Sequence, residues 1–190
     1  MNKDDRRVRK TKKALYEAMA ALLNEKNIQK ISIKELTDKA DINRATFYTH
    51  YQDIYDLYEQ MENNTMQDIG SIIYTNSIHT YDDILKDLVC YINDNQKVMG
   101  MFLNENTKYS FYNRFSNYLE IKYLELLKND FPNLNITTEL NYFIQYHIHG
   151  FLAILTAWVE KEYLDSKEKI IELLIQLDIT FERFLKSVFI

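Results

Sequence analysis

The chain has 190 residues, 46% of them hydrophobic, with 3 Gly, 1 Pro and a net charge of −5. That length can bury the core of one or two domains. So few Gly and Pro exclude a turn-rich β protein and favour long helices joined by short polar links, and the dispersed glycines leave no Gly-rich phosphate loop.

An acidic total argues against a nucleic-acid partner until the charges are placed. Residues 1–50 hold 12 Lys+Arg against 7 Asp+Glu, whereas the other 140 residues hold 11 against 21. A basic head on an acidic body can bind phosphate locally. Charge alone describes a solvated helix end equally well. The single cysteine, Cys90, lies among apolar residues and is expected to pack as an inert thiol in a reducing, cytoplasmic setting. The charged start MNKDDRRVRKTKK has no apolar stretch behind it, so it does not read as a signal peptide. The most apolar segment, GFLAILTAWV, is about half of what a bilayer needs, so no membrane partner is expected.

In chain order, residues 5–25 place Val8, Thr11, Leu15, Ala18, Met19, Leu22 and Leu23 at helical spacing, and the polar link NEKNIQK follows. Ser32, with Glu35 three residues on, forms a capping box that opens a short helix running to about Ala40. Ile42 in the next link should plug into the core, and Asn43 caps a second short helix from Arg44 to about Tyr51. A long helix capped by Asp53 runs to the mid-70s. Further helices are expected at about 81–94, 96–104, 107–129, 137–163 and 167–188, with Asp82, Asn95, Thr107, Thr137 and Asp165 or Ser166 as caps. The predicted fold is all-α with about nine helices: a three-helix helix-turn-helix domain over 1–52 and a larger helical domain over 53–190.

At about 100° per residue, Phe47 and Tyr51 share one side of the second short helix. Ala45, Thr46, Tyr48 and Thr49 occupy the other side, flanked by Arg44 and His50. Small, hydroxyl-bearing and cationic side chains on an outward face suit a major groove, where methyls meet thymine and an arginine grips guanine. A plain solvated face explains the Thr and Arg well, but it explains an exposed Tyr48 poorly.

The stretch RKTKKALYEAMAALLNEKNIQKISIKELTDKADINRATFYTHYQDIYDL resembles the DNA-binding domain of the tetracycline-repressor (TetR) family. The resemblance lies in Ser32-Ile-Lys-Glu-Leu, the Ala40-Asp-Ile turn and Phe47-Tyr48-Thr49-His50-Tyr51. It implies operator contacts from Asn43, Arg44, Ala45, Thr46, Tyr48, Thr49 and His50. It also implies backbone phosphate contacts from Ser32 and Lys34, and core roles for Phe47 and Tyr51. Two positions depart from the family pattern: its lysine near the start of the fourth helix is Ile54 here, and its turn glycine is Asp41.

The later segment YHIHGFLAILTAWVEKEYLDSKEKIIELLIQL is similar to the last two helices of the branch that includes the dihydroxyacetone-kinase regulator. In the family these helices usually pair with a second subunit. Residues 142–159 are apolar over much of their circumference, and a helix of that kind must be covered on several sides. The resemblance therefore implies a homodimer through Gly150, Ile154, Leu174, Leu177, Phe181 and Phe184; an intrachain core is the alternative. Phe102, Phe111, Tyr112, Phe115, Phe143, Tyr146 and Trp158 form an aromatic middle that would line an effector pocket or simply fill the core.

His147 and His149 stand two apart, so on a helix they point about 200° from each other and make a poor metal pair. His50 and His79 have no ligand cluster at metal spacing, Asp82-Asp83 reads as capping, and no nucleophile motif occurs. No metal, cofactor or catalytic activity is expected. The expected function is a DNA-binding transcriptional regulator, a repressor that binds a pseudo-palindromic double-stranded operator as a dimer and is released by a small apolar or aromatic effector. The alternative is an adaptor or coactivator of the same family that acts mainly through a protein partner.

Overall fold

The computed structural model describes residues 3–74, 81–103 and 108–189; Thr107 and His79 fall outside them. Within these residues the regular structure is helical: α1 (Lys3–Glu25), α2 (Ile33–Ala40), α3 (Arg44–Tyr48), α4 (Ile54–Tyr74), α5 (Tyr81–Asp94), α6 (Gln96–Phe102), α7 (Lys108–Asp130), α8 (Thr138–Glu160) and α9 (Lys167–Phe189). A short 3-10 turn, Ile28–Lys30, occupies the first link.

Side-chain oxygens fix most of the helix starts. Ser32 accepts the Glu35 amide hydrogen at 3.2 Å and Asn43 accepts that of Ala45 at 2.8 Å. Thr137 accepts from Leu140 at 3.2 Å and Ser166 from Lys169 at 3.4 Å. Each satisfies an amide that the helix itself leaves unpaired. At the start of α4 the capping runs both ways. Asp53 accepts from the Asp56 amide at 2.9 Å, and Asp56 accepts from the Gln52 amide at 2.7 Å. Asn95, by contrast, makes no side-chain cap bond, and Asp82 lies inside the first turn of α5.

Two helices end earlier than their apolar periodicity predicts. The helix α3 stops at Tyr48, after which the Tyr51 amide bonds back to the Phe47 carbonyl at 3.0 Å. The helix α8 stops at Glu160, because Glu162 and Tyr163 turn left-handed at φ 52° and 58°. The Tyr163 ring then lies 5.0 Å from that of Trp158, whose indole N–H donates to the Asp165 carbonyl at 2.8 Å.

The core runs without a break from head to body. In the head, Leu15, Met19, Leu22, Leu36, Phe47 and Leu57 are fully or almost fully enclosed. Tyr58 meets Phe102 edge-on at 5.7 Å, and Phe102 stacks on Phe111 at 4.5 Å, leading into Phe115. The α1 helix packs on both α2 and α6, so the head rests directly on the body. The α4 helix is tied to α7 by Glu62, which is buried and lies 2.8 Å from Arg114. About two turns further on, a Cβ added to Gly70 would meet the Tyr118 hydroxyl at 2.9 Å, so any larger residue requires the tyrosine side chain to shift. Cys90 is half-buried. Among the described residues no helix is long and apolar enough to cross a membrane.

The turn between α2 and α3 depends on Asp41, at φ 54° and ψ 46°. Aspartate tolerates this left-handed conformation better than most residues but less well than glycine. Asp41→Gly is therefore expected to raise stability by up to about 1 kcal/mol, and Asp41→Val to lower it by about 1–2 kcal/mol. Urea midpoints of the two variants, displaced in opposite directions from wild type, check the assignment.

Candidate nucleic-acid interface and interior cavity

The helix-turn-helix presents one polar face. Phe47 is fully enclosed and Tyr51 nearly so, each ring 5.6 Å from its neighbour in the pair. Burial pushes the Tyr51 phenol well above its ordinary range, with Tyr16 and Asp56 adding to the effect. Opposite this anchor, Asn43, Arg44, Ala45, Tyr48 and Thr49 are exposed, and Thr46 and His50 are half-buried. Tyr48 is 59% exposed, braced edge-on against Phe47 at 5.6 Å. The Thr49 hydroxyl donates to the Thr46 carbonyl at 2.6 Å, which turns its proton inward.

Ser32 and Lys34 are exposed at the start of α2. Glu35 sits beside them, but the Lys26 ammonium holds its carboxylate below the usual range, with the Ser32 backbone amide and Lys39 acting in the same direction. Lys39 in turn meets Glu25 at 2.9 Å. Lys34 and Arg44 make no ion pair among the described residues, which leaves their charges to an outside anion. Ile54, at the position of the family's lysine, is only 5% exposed. Its side chain is part of the core, and the flanking Asp53 and Asp56 occupy the amides of the α4 start. No cation reaches out from this position.

The six residues expected at a dimer contact line one open groove between α8 and α9, about 500 Å³ in volume. Leu174 and Phe181 form its buried floor, while Gly150, Leu177 and Phe184 are exposed at its rim and Ile154 is half-buried. Tyr142, Tyr146 and Leu173 extend the apolar surface beside it, Tyr146 being 76% exposed.

The aromatic residues expected around an effector do not share one hollow. Phe102, Phe111, Phe115 and Trp158 are solid core. Phe143 and Tyr146 line the α8–α9 groove, and Tyr112 stacks on His149 at 5.8 Å. A smaller cavity of about 70 Å³ adjoins that groove, walled by α4, α5, α7, α8 and α9. Ile73, Ile84, Leu88, Leu119 and Ile148 give it aliphatic sides, and Tyr81, Lys122, Tyr123, His147 and Asp178 give it polar ones. Sequence reasoning missed this site. A signal was available in Asp178, which falls between Leu174 and Phe181 on the buried face of α9.

The two histidines of α8 diverge. His147 Nε2 lies 3.1 Å from Asp178 on α9, whereas His149 faces α7, with Glu120 at 3.5 Å and the Tyr112 hydroxyl at 3.1 Å.

Comparison with known proteins agrees with this geometry. The family profile described as "Bacterial regulatory proteins, tetR family" matches residues 11–61, and that described as "Transcriptional regulator C-terminal region" matches residues 79–178. A curated relative, the uncharacterized HTH-type transcriptional regulator YxbF of Bacillus subtilis (strain 168), is 31% identical over 58 residues. That match spans 30% of this chain and only 15% of the relative.

Among solved structures, the dihydroxyacetone kinase operon activator DhaS is similar at TM-score 0.60 and 20% identity, over 95% of this chain and 98% of that one. A TetR transcriptional regulator from Streptococcus agalactiae 2603V is similar at 0.60 and 21%, over 92% and 96%. A TerR/AcrR-family regulator from Aquifex aeolicus VF5 is similar at 0.67 and 18%, over 90% and 99%. At these identities the structures speak to the fold. The two profiles together account for most of the chain, and with the exposed α3 face they establish that it belongs to the TetR family of DNA-binding transcriptional regulators.

Proposed function

We propose that this regulator is a cytoplasmic, non-catalytic repressor that binds a pseudo-palindromic operator as a homodimer and is released by a small effector. The carrying observation is the α3 face, where Arg44 and Tyr48 are exposed while Phe47 and Tyr51 anchor the helix in the core. In this reading residues 1–52 read the DNA and residues 53–190 join the subunits and sense the effector. Two-fold DNA needs two heads about 34 Å apart, and the apolar α8–α9 surface gives a second copy something to cover. A dimer that occupies a promoter represses by exclusion. A hollow walled by five body helices gives an effector a place to act on their packing.

Selection of bound sequences from a random DNA pool, followed by footprinting, tests the proposal. Arg44→Ala is expected to weaken the selected site by about 1–3 kcal/mol and to relax preference at one base position. Tyr48→Ala should weaken it too. Sequence-specific binding that neither substitution alters would remove α3 from the reading role.

Buried Ile54 and the acid-capped start of α4 favour a second reading, in which DNA binding is weak and a protein partner carries the function. A stoichiometric protein partner together with no enriched DNA sequence would select it.

A further inference from the structure

The His147–Asp178 pair stands where the two hollows of the body meet. Leu85, His147, Phe151 and Asp178 line both the α8–α9 groove and the interior cavity. The pair is close, at 3.1 Å, and each side chain is 16% exposed. The imidazole stacks on Phe181 with ring centroids 3.7 Å apart and lies 5.5 Å from Tyr123. His147 is therefore held between the rings of Phe181 and Tyr123, with the Asp178 carboxylate against its Nε2.

The surroundings are negative. Burial pushes the Tyr81 and Tyr123 phenols well above their ordinary range, and Asp130, Asp178 and Glu182 push both further. The cations nearby are engaged: Lys122 meets Glu125 at 2.5 Å and Lys186 meets Glu182 at 2.6 Å. No arginine lines either hollow. The Tyr81 hydroxyl is buried without a hydrogen-bond partner among the described residues, a costly state that a ligand would relieve. Aromatic faces, a carboxylate and a phenol backed by aliphatic walls suit an organic cation, and they repel an anion of the same shape.

We propose that the effector is an organic ammonium ion whose charged head displaces His147 from Asp178 while its apolar part lies against Phe151, Phe181 and the aliphatic wall. This rests on the reading of the body as an effector domain, and it narrows that effector from an apolar or aromatic molecule to a cationic one. The displaced contact joins α8 to α9, the two helices assigned to the dimer. Exchanging His147 for a ligand therefore changes the packing of the subunit contact and couples occupancy to the position of the heads.

Calorimetric titration of the full chain, without DNA, tests this with two probes of matched shape and opposite charge, 2-phenylethylammonium and 3-phenylpropionate. The ammonium is expected to bind about tenfold or more tightly than the carboxylate. Asp178→Asn should abolish that preference. His147→Gln, which removes the competing imidazole, should tighten ammonium binding. Thermal melts confirm that each variant folds, and the opposite directions of the two substitutions separate a ligand contact from general damage. Equal or tighter binding of the carboxylate, a preference that survives Asp178→Asn, weakened ammonium binding in His147→Gln, or no heat from the ammonium would each overturn the proposal. Because no DNA is present, these outcomes leave the DNA-binding reading intact, just as failure to select an operator would leave them intact.

Discussion

Phe47→Ala is expected to destabilise the protein by about 3–5 kcal/mol and to remove DNA binding with it. The ring is fully enclosed, its centroid 5.6 Å from those of Tyr48 and Tyr51, so truncation opens a cavity beneath the exposed face of α3. A helix of five residues cannot hold its own shape in water. Its geometry comes from this anchor, from Asn43 at its start and from the Tyr51 amide bonded back to the Phe47 carbonyl. Tyr48→Ala provides the contrast. That side chain is exposed, so its removal should change stability by no more than about 0.5 kcal/mol while weakening operator binding. Urea unfolding and DNA titration on the same samples separate the two effects. A Phe47→Ala protein that melts like wild type would show that α3 is held by something other than its aromatic side.

Leu177→Glu is expected to convert the protein to a monomer and to lower operator affinity by about 100-fold or more, since two linked heads gain that much over one. Leu177 is 46% exposed at the rim of the α8–α9 groove, so a single subunit does not need it to fold. At the centre of a subunit contact the same position would bury a carboxylate without a partner, which few interfaces tolerate. Sedimentation velocity reads the mass and a gel shift reads the affinity. A variant that remains dimeric with unchanged DNA binding would move the subunit contact to another face.

The helices were legible because their signals are local. Ser32, Asn43, Asp53 and Thr137 announce helix starts by chemistry that acts within three or four residues, and each makes the expected bond. Apolar spacing then carries each helix forward. It cannot say where one stops: α8 ends at a left-handed turn clamped by Trp158, and that contact depends on Tyr163 folding back. The split of the aromatic rings on α3 between a buried and an exposed side also followed from the wheel alone. The cavity did not, because a hollow is what remains after helices pack. Tyr81, Tyr123, His147 and Asp178 come from four helices, and no spacing in the chain relates them. Phe102, Phe111 and Phe115 carry the same ring content as a ligand-binding wall, yet they fill their space with one another.

The unbroken run of α4 from the head into the body has a mechanical consequence. Its 21 residues make a rod about 31 Å long. It is tied to α7 at Glu62, by the pair with Arg114, and at Gly70, by the Tyr118 hydroxyl, and its near end carries Ile54 into the core beneath the head. A tilt of about 10° about Gly70, which lies about 24 Å along the rod from Ile54, swings the near end through about 4 Å. That is more than one base-pair rise of about 3.4 Å. Small adjustments where α4 meets the body helices are thus enlarged at the head end of the rod.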